Sequence, residues 1–149
     1  MSETIEYNKT SQSLYFMLTN SSTGARLTGV AHTAVNASYT REKSARVAVT
    51  EASLANAQAA YASGGWVEVD PTNQPGLYRF DCPDAAFVYA AGVTKVLVTI
   101  TATGAHSETK EIELISPVIT QGSVGASLDA QPTYNQYTFV DGTVRKDYL

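Results

Sequence analysis

The stretch GWVEVDPTNQPGLYRFDCPD, residues 65–84, holds two runs of β-forming residues separated by proline, asparagine and glycine. In the second run Tyr78 and Phe80 alternate with Arg79, and such alternation places one side of a strand on a core and the other side outward. Pro75-Gly76 supplies a turn, because proline fixes one φ angle and glycine permits a positive one. The stretch therefore predicts two strands joined by a turn, with Tyr78 and Phe80 inward and Arg79 outward.

The same two-residue period recurs along the chain, and segments rich in Gly, Ser, Asn and Pro separate its occurrences. Short strands at this spacing are typical of an all-β protein, an antiparallel sandwich with Greek-key connections. The predicted strands are residues 13–19, 35–41, 46–50, 65–70, 77–82, 95–101 and 110–116.

Helical content is expected to be small. Residues 84–92 begin with Asp84, a good N-cap, and end at Gly92, a typical helix stop, which predicts one or two short helical turns. The Ala-rich segment 50–65 fits either a short helix or an irregular crossover, capped in both cases by Gly64.

Composition bounds the class of protein. The 149 residues suffice for one domain with a core. A net charge of −4 without a basic cluster argues against nucleic-acid binding. No apolar run approaches the ~20 residues of a membrane span, and the polar N-terminus lacks the apolar core of a signal peptide. We therefore expect a soluble protein made in a cytoplasm, and the single cysteine excludes an intrachain disulfide.

The chain divides into three parts. Residues 1–10 are expected to be a flexible N-terminus and residues 11–116 the β-sandwich domain. Residues 117–149 show no sustained alternation, which predicts an extended C-terminal arm. Near its end Asp141-Gly142 lies between two runs of β-formers, a strong signal for a two-residue hairpin turn. A lone hairpin is marginally stable in water, so this one needs a sandwich or another subunit to pack against.

Two groups of aromatic residues are candidates for binding. Trp66, the only tryptophan, fits either a half-buried strand position or a platform for ligand stacking. Tyrosine is enriched at interfaces, and the arm carries too few apolar residues to fold alone. The candidate interface residues are Tyr134, Tyr137, Phe139, Val144 and Tyr148.

Catalytic and metal-binding alternatives find little support around the predicted turn. Asp70, Asp81 and Asp84 could offer oxygen ligands to calcium, but their spacing matches no dedicated loop. Asp81 and Asp84 as an acid/base pair would need a cleft and a partner that perturbs their pKa. Cys82 as a nucleophile would need a histidine base, and His32 and His106 lie in turn-like segments without a matching motif. We predict no catalytic residue, no metal and no cofactor, and interpret Cys82 as a buried strand residue.

Residues 61–92 carry several spaced motifs: an aromatic after a double glycine, Val-Glu-Val-Asp, Pro-Gly-x-Tyr and Pro-Asp-Ala-Ala, followed by a Val-rich strand. In this order they resemble a segment of tailed-bacteriophage virion proteins. The resemblance covers residues 24–116 and implies an immunoglobulin-like or baseplate-upper-protein-like β-sandwich used as a building block, without catalytic residues. The C-terminal arm departs from that domain pattern.

This resemblance implies a non-enzymatic structural protein of the virion, synthesised in the host cytoplasm. The first expectation is a capsid decoration protein that binds neighbouring subunits through its arm. Its partners would be further copies of itself and the major capsid or tail proteins. A tail, neck or baseplate component is the alternative within this class. A carbohydrate- or receptor-binding module, with Trp66 and exposed tyrosines as stacking platforms, is the alternative from another class.

Overall fold

A computed structural model of the chain describes residues 3–116. These residues form β-strands and two short 3-10 turns, His32–Ala34 and Asp84–Phe87. The strands are β1 Glu3–Glu6, β2 Ser13–Met17, β3 Val35–Arg41, β4 Arg46–Val49, β5 Ala52–Ser53, β6 Gly65–Asp70, β7 Gln74–Asp81, β8 Lys95–Ala102 and β9 Glu108–Ile115. The predicted arm, its hairpin and all five candidate interface residues lie outside the described residues.

The strands form two sheets that pack around one core, which confirms the prediction of an all-β sandwich. One sheet has the order β1-β9-β8-β3-β4 and the other the order β2-β7-β6-β5. Both sheets are mixed, because β1 pairs with β9 and β5 pairs with β6 in parallel. The expectation of a purely antiparallel sandwich is therefore wrong for these two short pairs, which join strands through crossovers rather than tight turns.

The alternating pattern places the apolar residues as predicted. On β7, Tyr78 and Phe80 point into the core and are fully buried. Alternate apolar residues of three further predicted strands are buried as well, because each strand turns every second side chain toward the opposite sheet. These residues are Leu14, Phe16 and Leu18, then Val96, Val98 and Ile100, then Ile112 and Leu114.

The N-terminal region differs from its prediction. Glu3–Glu6 form β1 rather than part of a flexible segment, and Ile5 is buried opposite Leu114 of β9. The Tyr7 N–H continues this ladder by donating to the Ile115 carbonyl at 2.9 Å. A strand with a single large apolar residue gives too weak a periodic signal, and its partner strand lies near the other end of the domain.

The Ala-rich segment forms the irregular crossover and no helix. It contains β5, and its end is fixed by Gly64, whose φ of +80° only glycine adopts readily. A Cβ at Gly64 would also collide with the Thr50 carbonyl oxygen. Of the predicted helical turns, one forms at Asp84–Phe87, with Pro83 rather than Asp84 at the N-cap position. No helix within residues 3–116 is long and apolar enough to cross a membrane.

Candidate functional site

Asp70 has a structural role in the β6–β7 turn. Its Oδ1 accepts hydrogen bonds from the N–H groups of Thr72 and Asn73, both at 3.0 Å. Its Oδ2 accepts a third from the Asn73 side-chain amide at 2.9 Å. These hydrogen bonds lower the pKa of Asp70, and the bond from the Asn73 side chain has the largest effect. The carboxylate therefore closes an Asx-type turn that joins two strands.

The prediction that Arg79 points outward into solvent is wrong. Arg79 and Asp81 are both buried, although they lie on the face of β7 opposite Tyr78 and Phe80. Arg79 is 6% exposed and Asp81 is 0% exposed. Their charged groups form a bidentate pair, with Nε to Oδ1 at 2.8 Å and Nη2 to Oδ2 at 2.7 Å. The sequence suggested an outward arginine because alternation does not reveal that a crossover covers the outer face.

The remaining hydrogen-bonding capacity of this ion pair is also used. Arg79 Nη1 donates to the carbonyls of Ala57 and Ala59, both at 2.8 Å. Asp81 accepts from the Ser13 hydroxyl at 2.6 Å and from the Ala62 N–H at 2.9 Å. The pair thus fastens β7 to β2 and to the crossover.

The charge state of the pair follows from these contacts. Burial raises the pKa of Asp81, but the hydrogen bonds from Arg79, Ser13 and Ala62 outweigh it and hold the pKa below its usual range. The hydrogen bond to Asp81 raises the pKa of Arg79. Both groups therefore remain charged, and neither is poised to exchange a proton near neutral pH.

The region that follows β7 does not assemble a nucleophilic site. The Cys82 thiol is buried, and burial, with a smaller contribution from the Asp84 charge, raises its pKa to about 12. The Tyr61 hydroxyl donates to the Cys82 carbonyl at 2.8 Å. Asp84 accepts from the Ser11 N–H at 2.7 Å. A protonated, enclosed thiol is a poor nucleophile. Cys82 is buried as predicted, but it lies one residue beyond the end of β7 and not within the strand.

The three aspartates likewise do not gather around a common point for a cation. Among residues 3–116 there is no group of three or more His, Cys, Asp or Glu side chains that could hold a metal ion. Asp70 and Asp81 instead satisfy main-chain donors at separate places.

Trp66 lies in the core and not at a ligand-stacking surface. It is 2% exposed, and its ring stacks on Tyr78 with centroids 4.7 Å apart and an interplanar angle of 10°. Its Nε1–H donates to the Val30 carbonyl at 2.9 Å. Burial raises the pKa of Tyr78 to about 12, and its hydroxyl donates to the Leu27 carbonyl at 3.0 Å. The two rings anchor the chain between β2 and β3.

The candidate site of the described domain is a cleft at the side of the sandwich, which sequence reasoning missed. Its volume is about 340 Å³. The edge strand β2 contributes Tyr15–Met17, and Leu77 of β7 lies beside it. Residues 108–111 of β9 form the opposite wall. No sequence signal marks the cleft, because it depends on how two strands from different sheets are spaced at their edges.

The two walls of the cleft are connected beyond one end, and one wall is charged. Beyond β2, the Thr19 carbonyl accepts a hydrogen bond from the His106 N–H at 2.9 Å, which joins the two walls. Lys110 Nζ lies 5.8 Å from the centroid of the Phe16 ring and 3.6 Å from a carboxylate oxygen of Glu3. The cleft therefore combines an apolar strand edge with a wall that carries the carboxylates of Glu108 and Glu111 and the ammonium group of Lys110.

This geometry offers hydrogen bonding and apolar contact. Tyr15 is 46% exposed on the edge strand, and Glu108 forms none of the ion pairs within the described domain. Such a surface is suited to an extended peptide segment. Comparison of the chain with protein-family models, with curated proteins and with solved structures gave no match.

Proposed function

We propose that this chain is a non-enzymatic structural protein of a tailed-phage virion, a capsid decoration protein that binds neighbouring subunits. The observation that carries the proposal is the edge of β2, which presents main-chain groups and the exposed Tyr15 beside a cleft whose opposite wall is charged. Edge-strand addition provides affinity through main-chain hydrogen bonds, which suits repeated contacts in a particle. The motifs of residues 61–92 supply the phage context by resemblance.

The sandwich is proposed to be immunoglobulin-like. In that fold one sheet contains strands B, E and D in this order, and the other contains G, F and C. Here β2-β7-β6 lie in one sheet and β9-β8-β3 in the other, with β4 beside β3. This order supports equating β2 with B, β7 with E and β6 with D. The place beside B, where strand A lies in the ABED sheet, then coincides with the open edge of β2.

A structural role is supported by the way polar groups are used. The buried Arg79–Asp81 pair uses its remaining donors and acceptors in hydrogen bonds to β2 and the crossover. Cys82 is held protonated by burial. These contacts stabilise the fold and leave neither group facing a substrate-sized opening.

The proposed binding element is the C-terminal arm, residues 117–149. The support comes from its sequence, which combines a predicted hairpin at Asp141-Gly142 with tyrosines and few aliphatic residues. Oligomers are normally symmetric, so an arm that reaches a neighbour would build a ring or a lattice. A tail, neck or baseplate component would bind its neighbours by the same contacts and would differ from a decoration protein in copy number.

Purified virions test this proposal. Quantitative mass spectrometry against the major capsid protein is expected to find the chain in a fixed ratio, in lattice numbers for a decoration protein and in ring numbers for a tail or neck component. Deletion of residues 117–149 is expected to abolish incorporation, whereas the full-length variant Leu97→Ser, changed on the outer face of β8, is expected to incorporate normally. Absence of the chain from virions, or binding of the free chain to host glycans, would contradict the proposal.

A further inference from the structure

The edge strands of the sandwich differ in how they are protected from pairing. Natural edge strands avoid unwanted pairing by being short or by carrying charged residues or proline. β1 carries Glu3 and Glu6, β4 begins with Arg46, and β5 is two residues long. β2, with the sequence SLYFM, has none of these protections. It is therefore the edge of the described domain best suited to accept another strand.

The backbone of β2 is oriented for such pairing. The Leu18 N–H donates to the Gly76 carbonyl at 2.8 Å, and the Gln12 carbonyl accepts from the Cys82 N–H at 3.0 Å. Because hydrogen-bonded residues alternate along an antiparallel ladder, the backbone groups of Ser13, Tyr15 and Met17 point away from β7. No described strand pairs with that side of β2.

The cleft beside this edge shows what the added strand must carry. Its inward side chains would lie beside Phe16 and face the wall of β9. On that wall Glu108 and Lys110 lie four and two residues before the core residue Ile112. Because every second side chain of a strand points to the same side, both share its inward face. Lys110 is matched by Glu3 at 3.6 Å. The unbalanced charge at the cleft is therefore the carboxylate of Glu108, which favours a strand with one inward cation between apolar residues.

We propose that the open edge of β2 accepts residues 143–148 of a second copy of this chain as an added strand. In the sequence TVRKDY, Val144, Lys146 and Tyr148 occupy alternate positions and would share one face. That face offers a cation between an apolar and an aromatic residue, which is the combination that the carboxylate of Glu108 favours. Lys146 would lie against Glu108, and Val144 and Tyr148 would cover the apolar edge. This inference rests on the proposed role of the arm in assembly and names its acceptor.

A crosslinking experiment on the full-length chain tests the pairing. One preparation carries Tyr15→Cys and a second, distinguished by isotope labelling, carries Arg145→Cys on the outward face of the proposed strand. After mixing, a short bismaleimide is expected to join the two preparations. The native Cys82 thiol is buried and protonated, so it does not compete. The matched control, Leu97→Cys, has a similar exposure of 38% but lies on a strand paired on both sides. The yield with Tyr15→Cys should exceed that control about tenfold or more, because docking raises the effective concentration of the two thiols.

Reversal of the charges at Lys146 and Glu108 provides the second test. Lys146→Glu is expected to lower the crosslinking yield, and Glu108→Lys in the acceptor preparation is expected to restore it. Equal yields from Tyr15→Cys and Leu97→Cys, with both thiols accessible to N-ethylmaleimide, would overturn the proposal. So would crosslinking confined to single chains of a Tyr15→Cys, Arg145→Cys double variant, because the arm would then dock on its own sandwich. The assay needs no virion, so its failure is distinct from absence of the chain from particles.

Discussion

On one face of β7, Tyr78 and Phe80 are covered by apolar side chains of the core, whereas on the other face Arg79 and Asp81 are covered by the crossover that follows β5. The first face needs only shape and apolar area. The second face needs a hydrogen-bond partner for each buried donor and acceptor, because an unsatisfied buried charge is strongly destabilising.

This difference explains why an Ala-rich segment with helical propensity does not form a helix. A helix would engage its backbone carbonyls internally. Here the carbonyls of Ala57 and Ala59 accept hydrogen bonds from Arg79, and the Ala62 N–H donates to Asp81. The ion pair of β7 thus fixes the path of the crossover, and local propensity is overridden by a tertiary contact.

The largest expected effect comes from removing one charge of the pair. Arg79→Ala leaves Asp81 buried without its cation and is expected to cost ~3–5 kcal/mol of unfolding free energy. Because the crossover loses two hydrogen bonds at once, limited proteolysis should cleave first within residues 54–62. Phe80→Ala is the matched control: it is expected to cost a similar ~3–5 kcal/mol by leaving a cavity, without selective cleavage of the crossover. Identical cleavage patterns would contradict the distinction between the two faces.

A smaller effect is expected from Tyr78→Phe, which keeps the ring stacked on Trp66 and removes only the hydroxyl. That hydroxyl donates to Leu27 and accepts from the Val30 N–H at 2.9 Å. Leaving both partners unsatisfied is expected to cost ~1–3 kcal/mol in urea unfolding. Trp66 fluorescence should stay native-like in the absence of urea. A loss below the error of the measurement would show that water replaces the hydroxyl.

Low pH is expected to weaken the interactions of the polar face of β7, which holds Asp81, and not those of its aromatic face. The folded pKa of Asp81 lies below its ordinary value of ~3.9, so its stabilising contribution is present above that pH and is lost as the pH falls through the folded pKa. Asp81→Asn is expected to flatten the dependence of unfolding free energy on pH below ~4. Asp70→Asn is the control, with a smaller change expected because its carboxylate has amide partners and no cation. An unchanged slope in Asp81→Asn would contradict a charged Asp81 in the folded chain.

The smallest effect concerns the thiol that follows β7. In the folded chain Cys82 has a pKa of about 12, so it should react slowly with a disulfide reagent at pH 8 and at full rate in urea. The unfolded thiol ionises near ~8.5, so the stability that Cys82 contributes should fall as the pH rises from there toward the folded pKa. A fast reaction of the native chain would show that this end of β7 opens readily.

Sequence periodicity predicted the strands that bury several large apolar residues. The bounds of β3 and β6 agree with the predicted residues 35–41 and 65–70. It missed β1 and β5, because four- and two-residue strands carry almost no periodic signal. The burial of Arg79 and Asp81 on the outer face of β7 was missed for a different reason. Their burial depends on a crossover whose position the ion pair itself determines.

The candidate site could be predicted only in part. The apolar, uncharged composition of SLYFM was visible in the sequence, but its position at a sheet edge was not. That position follows from β1, which pairs with β9 and leaves β2 at the end of the other sheet. Sequence alone likewise could not place Glu108 opposite β2, because the two lie on strands that do not pair.

The parallel pairing of β1 with β9 has a mechanical consequence. Ile115, the last residue of β9, is held on one side by β1, while the rest of β9 is held on the other side by β8. A force applied at Ser116 along β9 would act across both ladders and load many hydrogen bonds together in shear, instead of peeling them one after another. The domain is therefore expected to resist a pulling force applied at Ser116.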